Sequence, residues 1–170
     1  MIDKRPLAIA RCRSSDDVVA AVNFARDNEL LVSVRGGGHN VAGNAVCDDG
    51  LMIDLTLMND VQVDENTRAV KAQGGCTLGR VDTVTSEYGL AVPAGIVSET
   101  GLVGLALGGG VGWLVRKYGM TCDNLISAEV VTADGQVHRA SASKNADLYW
   151  GLRGGGGNFG VVTEFELQAH

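Results

Sequence analysis

This chain lacks most of what would mark a membrane-spanning, secreted or nucleic-acid-binding protein. It has no run of 18 apolar residues to cross a bilayer, and its N-terminus, MIDKRPLAIARCR, has no signal-peptide core. It has no basic stripe, and its formal net charge is −6, so the electrostatic footprint of a nucleic-acid binder is missing. Neither a nucleic acid nor a membrane is therefore expected as a partner. The four cysteines (Cys12, Cys47, Cys76, Cys122) fit no zinc or redox spacing, and His39, His138 and His170 fit no metal-ligand pattern. They read as scattered reduced thiols of a cytoplasmic protein, with no metal site. Prolines number only 2, and no linker, low-complexity stretch or fixed-period repeat interrupts the chain. With 45% apolar and 20% charged residues among 170, a globular fold is expected, as one domain or as two small lobes packed together.

Glycine is what the chain has in excess. Its 24 glycines are about twice the usual share. They gather at 36–38, 74–75, 101–112 and 151–160, which suggests loops shaped around a ligand.

Residues 6–12 (PLAIARC) read as a short strand. A helix follows, capped by Ser14 or Ser15, with Asp16 and Asp17 in its first turn and Val18, Ala21, Val22 and Ala25 on one buried face. LLVSVR returns as a strand and delivers the chain into RGGGHN at 35–40. Beyond it lie an apolar stretch at 51–55 and a hairpin around DEN at 64–66. A helix then ends at Gly89, and a partly helical, small-residue segment begins near Thr100 or Gly101. A second hairpin turns at ADG, a short helix spans NADLYWGLR, and VVTEFELQ closes the chain as an alternating strand. This order favours an α+β fold of two lobes, roughly residues 1–60 and 61–170, over one doubly wound sheet.

Each glycine cluster admits two readings. RGGGHNVAG at 35–43 is either a bare connection or a turn whose successive amides form an anion nest, and the P-loop Lys and Ser/Thr are absent. GLVGLALGGGVG at 101–112 is either a close helix contact or a helix start offering free amides to an anion. Gly155, Gly157 and Gly160 spell a formal G-x-G-x-x-G, but a helix precedes it and a strand follows, the reverse of the dinucleotide fingerprint. Several such loops with a lone histidine between them fit a long ligand bearing more than one anionic group. A dinucleotide meets that description.

The ordered set VRGGGHNVAG, IDLTLMN, PAGIVSETGLVGLALGGGVGWLVRKYGMTCDNL and GLRGGGGNFGVVTEFEL resembles one family over essentially the whole chain. It is similar to the FAD-binding (PCMH-type) domain of the berberine-bridge-enzyme-like oxidases, in the vanillyl-alcohol-oxidase superfamily, and within it to the bacterial branch. The resemblance implies an α+β domain of two subdomains with FAD stretched between them. On that pattern the pyrophosphate loop is Arg35, Gly36, Gly37, Gly38, His39, Asn40 and Val41. His39 is the residue that bonds covalently to the flavin's benzenoid methyl group. Gly43, Gly95, Ser98, Thr100, Gly101, Gly104 and Gly108 match the second stretch lining FAD, and Val161 matches a backbone contact. Val97 stands where doubly tethered members carry a cysteine, so a single tether is expected. The implied function is hydride removal from a small organic donor, with oxygen as acceptor. The alternative is a non-catalytic FAD-binding module. The family's substrate domain, which normally supplies catalytic groups, is expected to lie outside these residues. An uncovered face would then drive self-association, giving a homodimer.

Overall fold

A computed structural model describes residues 2–170, and its strands form two sheets. The first is three-stranded and parallel, built from β1 (Ala8–Arg11), β2 (Val32–Arg35) and β3 (Leu51–Asp54). The helix between β1 and β2 is α1 (Ser15–Asp27). The strand order is β1-β3-β2, so β3 inserts between the two strands that α1 connects. Arg11 and Arg35 thereby both lie level with Asp54.

Local chemistry sets the limits of α1. The Ser14 hydroxyl accepts the Asp17 amide at 3.2 Å, and the Asp17 carboxylate accepts the Arg13 amide at 2.8 Å. At the far end Glu29 takes a positive φ of 52°, and Leu30 donates back to the Ala25 carbonyl at 2.9 Å. Val18, Ala21, Val22 and Ala25 are buried, as their helical spacing predicts. They pack on Leu51 and Ile53 and also on Val131 and Val161 of the second sheet.

That second sheet is antiparallel. It contains β4 (Val61–Asp64), β5 (Ala69–Gln73), β6 (Leu125–Val131), β7 (Val137–Ser141) and β8 (Val161–Gln168). Its order is β4-β5-β8-β6-β7, so the last strand joins two hairpins that are far apart in sequence. Phe165 sits level with both Ala72 and Ala128 and is wholly buried. Three helices cover this side: α2 (Leu78–Ser86), α3 (Leu102–Leu107) and α5 (Ala146–Leu152), through Leu78, Val81, Leu102, Ala106 and Leu152. A fourth short helix, α4 (Val115–Tyr118), buries no residue. Gly89 closes α2 with a positive φ of 66°, and Leu90 donates to the Thr85 carbonyl at 3.0 Å. On the opposite face Arg139 of β7 bridges Glu164 at 2.8 Å and Glu166 at 3.1 Å on β8.

The sheets meet along a seam of bare backbone. A Cβ on Gly75 would lie 1.8 Å from the Leu55 carbonyl oxygen, and one on Gly36 would lie 2.9 Å from that of Gly74. A Cβ on Gly37 would lie 2.4 Å from the Gly101 amide, and one on Gly101 would lie 2.6 Å from the Gly37 amide. Hydrogen bonds carry each ladder up to this line: Leu55 N–H to Arg35 C=O at 2.8 Å extends the parallel sheet, and Gly74 N–H to Thr163 C=O at 2.8 Å and Gly75 N–H to Met58 C=O at 2.9 Å extend the antiparallel one. A side-chain link lies nearby, where Glu129 accepts both Ser15 and Thr163 hydroxyls.

The two kinds of glycine are expected to respond differently to alanine. Gly89→Ala meets nothing within 4 Å and is expected to cost about 1–2 kcal/mol, from the left-handed backbone alone. Gly75→Ala is expected to cost more, about 3 kcal/mol, because the new carbon displaces a carbonyl that cannot yield without moving the seam. Urea midpoints at constant m-value make the comparison, and equal losses would refute the close-packed seam.

Candidate cofactor site

The C-terminal edge of the parallel sheet opens the site. As β2 ends at Arg35, Gly36 and Gly37 run over the seam, where the carbonyl of Gly74 and the backbone of Gly101 leave no room for side chains. Gly38 then reverses the chain at φ 69°, and a Cβ there would lie 3.1 Å from the Arg35 Nε. Among the described residues, no amide from Gly36 to Ala42 donates a hydrogen bond within the protein. The loop is closed instead by Asn40, whose carbonyl accepts Gly43 N–H at 3.1 Å and whose side chain accepts Asn44 N–H at 3.0 Å. Consecutive unbonded amides in a glycine turn suit an anion. His39, Asn40 and Val41 project from this loop into solvent.

Beside it lies a cleft of about 490 Å³. The backbone of Gly36 and Gly37 forms one wall, and Thr77, Gly79 and Arg80 at the start of α2 form another. Thr56 and Asn59, from the connection between β3 and β4, line it together with Ser98 and Glu99. Its polar side chains are unengaged: among the described residues, those of Arg35, Thr56, Asn59, Thr77, Arg80 and Ser98 make no hydrogen bond or ion pair. Among the described residues Arg5, Arg11, Arg26, Arg139 and Arg153 each lie within 4.0 Å of a carboxylate, while Arg13, Arg68 and Arg116, like Arg35 and Arg80, do not. Cys76 lies nearby but is fully buried; burial pushes its thiol up to about 11 despite the Arg80 charge, so it is no nucleophile.

The second glycine stretch divides in two. Thr100 and Gly101 are bound into the fold: Leu78 N–H donates to Thr100 C=O at 2.9 Å, and Leu102 N–H to Cys76 C=O at 2.9 Å. The amide of Leu102 is therefore spent on Cys76 and is not free for an anion, a limit on the expected helix start. Further along α3, Gly104 meets nothing within 4 Å of its missing Cβ, and Gly108 meets only its own helix at 3.6 Å. Both are exposed, so this face of α3 is bare. The 154–160 loop docks at its end through Gly156 N–H to Leu107 C=O at 2.9 Å, and it too has open glycines at 154 and 157. Helix α5 precedes this loop and β8 follows, so the formal G-x-G-x-x-G is not built as a strand–turn–helix.

Arg35, Gly36, Gly37 and Ser98 line the cleft, Gly38 to Val41 lead away from it into solvent, and Gly101 backs Gly37. Three other candidates lie elsewhere. Gly43 packs on Ile2, Gly95 packs on Leu105 and Leu78, and Val161 is buried on the ladder opposite Val131. Sequence reading did not single out Thr56, Asn59, Thr77, Gly79, Arg80 or Glu99. The signal for part of this set was the Gly74–Gly75 pair, which places the following T-x-G-R under the loop.

Comparison with known proteins agrees with this geometry. The family model described as FAD binding domain matches residues 6–141. The chain is 44% identical over 167 residues to (R)-6-hydroxynicotine oxidase of Paenarthrobacter nicotinovorans, covering 98% of this chain and 36% of that protein. It is 42% identical over 165 residues to an FAD-linked oxidoreductase of Dictyostelium discoideum, covering 97% and 36% respectively. Among solved structures, 6-hydroxy-D-nicotine oxidase from Arthrobacter nicotinovorans superposes with a TM-score of 0.96 at 44% identity, covering 98% of this chain and 37% of that one. Glucooligosaccharide oxidase from Acremonium strictum, which carries 6-S-cysteinyl, 8α-N1-histidyl FAD, gives 0.94 at 39% identity, with 98% and 36% covered. A berberine-bridge-enzyme-like protein of Physcomitrella patens gives 0.91 at 30% identity, with 95% and 36% covered. The chain thus spans about a third of the length of the relatives it matches. It belongs to the FAD-binding (PCMH-type) domain family of the FAD-linked oxidases.

Proposed function

We infer that this chain holds FAD for the oxidation of a small organic donor, with the cofactor tethered through His39 and oxygen taking the electrons. The observation that carries this reading is the run of unbonded amides from Gly36 to Ala42, with His39 exposed inside it. The residues present fit the cofactor. The free amides and the unpaired Arg35 suit its diphosphate, and the bare face of α3 at Gly104 and Gly108 leaves space for a flat ring. When bound, FAD supplies hydride acceptance, which no side chain of the protein can provide.

His39 stands in the loop at the position that corresponds, by family resemblance, to a histidyl tether, and glucooligosaccharide oxidase carries such a bond. Its second, cysteinyl bond has no counterpart here. Val97 occupies the matching position, and Cys122 is 3% exposed with its thiol pushed up by burial. One covalent bond is the consequence.

A second reading, an FAD-holding module without turnover of its own, rests on the share of the relatives that the chain spans, about a third. Anaerobic addition of donors separates the two, since bleaching of the flavin requires a competent donor site.

Two measurements test the primary reading. Protein supplied with FAD and precipitated in acid is expected to keep yellow flavin in the pellet, and His39→Ala is expected to release all of it. A colourless wild-type pellet would sink the tether. In the second, Gly104→Ala is expected to stabilise cofactor-free protein by about 0.5–1 kcal/mol, through helix propensity with no clash. Gly104→Leu is expected to fold equally well and yet weaken FAD binding about tenfold or more, by filling the space the cofactor needs. Unchanged FAD affinity in Gly104→Leu would move the cofactor off this face.

A further inference from the structure

We propose that Arg80 is a second cationic clamp for the diphosphate of the bound cofactor, acting across the cleft from the Gly36–Gly38 amides. The inference rests on the FAD reading above and adds a residue that the glycine motifs do not contain.

Three observations carry it. Arg80 and Arg35 line one cleft of about 490 Å³, and neither has a carboxylate within 4.0 Å, in a chain of net charge −6. Two unneutralised guanidiniums lining one space give it a positive potential that favours an anion between them. The polar groups around them are mainly donors or hydroxyls left without partners: the Gly36 and Gly37 amides, Thr77 and Ser98. Among the described residues Glu99 is the only acid lining the cleft.

The backbone fixes where Arg80 stands. Leu78 N–H and Gly79 N–H are bonded to the carbonyls of Thr100 and Ser98, both at 2.9 Å, so the first turn of α2 is pinned to the segment that leads into Gly101. Gly101 in turn meets Gly37 backbone to backbone. Arg80 is therefore held at a set distance from the pyrophosphate loop by main-chain contacts, although its own side chain is free. A guanidinium placed in this way can donate two hydrogen bonds to phosphate oxygens, which a lysine or a glutamine cannot reproduce.

Reversible binding is best measured in the His39→Ala background, by titrating FAD and, separately, ADP, its diphosphate-bearing half. Arg80→Gln is expected to weaken both by about tenfold or more, the effect of losing a charge-assisted pair. It is also expected to flatten the salt dependence of binding. Arg80→Lys should recover part of the loss. Lys71→Gln removes the same charge from an exposed strand position and should change neither affinity, which separates a local pair from overall charge. Thermal midpoints without ligand should match the parent, because Arg80 has no intramolecular polar partner to lose. If Arg80→Gln binds FAD and ADP as its parent does, the clamp is wrong while the FAD reading stands. If the parent binds neither, the FAD reading fails and the clamp with it.

Discussion

The contact on which the rest depends is backbone against backbone, where Gly37 meets Gly101, Gly36 meets Gly74 and Gly75 meets Leu55. The parallel and the antiparallel sheet share no ladder among the described residues. They are joined instead by glycines that bring main chains into direct contact, Gly75 against the Leu55 carbonyl and Gly36 against that of Gly74. Helix α1 adds an apolar clamp from one side, since its single buried face touches Ile53 of the first sheet and Val131 and Val161 of the second. The absent side chains are therefore structural first. Ordering so many glycines has an entropic cost, offset here by an approach that no other residue permits.

The seam also makes the site. With their backbone held against Gly74 and Gly101, Gly36 and Gly37 keep their amides out of any ladder, and the loop runs on to the exposed His39. The start of α2 is tied to the segment ahead of Gly101, so a basic side chain from the second sheet's layer faces the loop that leaves the first. A cleft lined by donors from two structural layers thus follows from how the layers are joined. The cysteines contribute nothing to it: all four are buried, and burial holds the thiols of Cys12 and Cys76 at about 11.

Much of this was legible residue by residue. The buried face of α1, its Ser14 cap, the Gly89 stop and the two hairpins are local, because caps, turns and periodicity act within a few residues. What could not be read was pairing over long separations. Nothing in VVTEFELQ says that it lies between β5 and β6, or that β3 enters between β1 and β2; those places are set by pairing between strands far apart in the chain. The same limit applied to the glycines. Gly43, Gly95, Gly104 and Gly108 look alike in sequence, yet two pack against side chains and two face open space.

The amino-acid sequence by itself therefore determined the element types, the loop chemistry around His39 and the family, because each is encoded in short motifs whose order is preserved along the chain. Only the tertiary structure decided which glycines are spent on the seam and which are left bare for a ligand. It alone brought Arg80 to the rim of a loop that ends about 40 residues before it. The physical reason is that close approach and charge proximity are properties of distance in space, and here the backbone seam sets that distance.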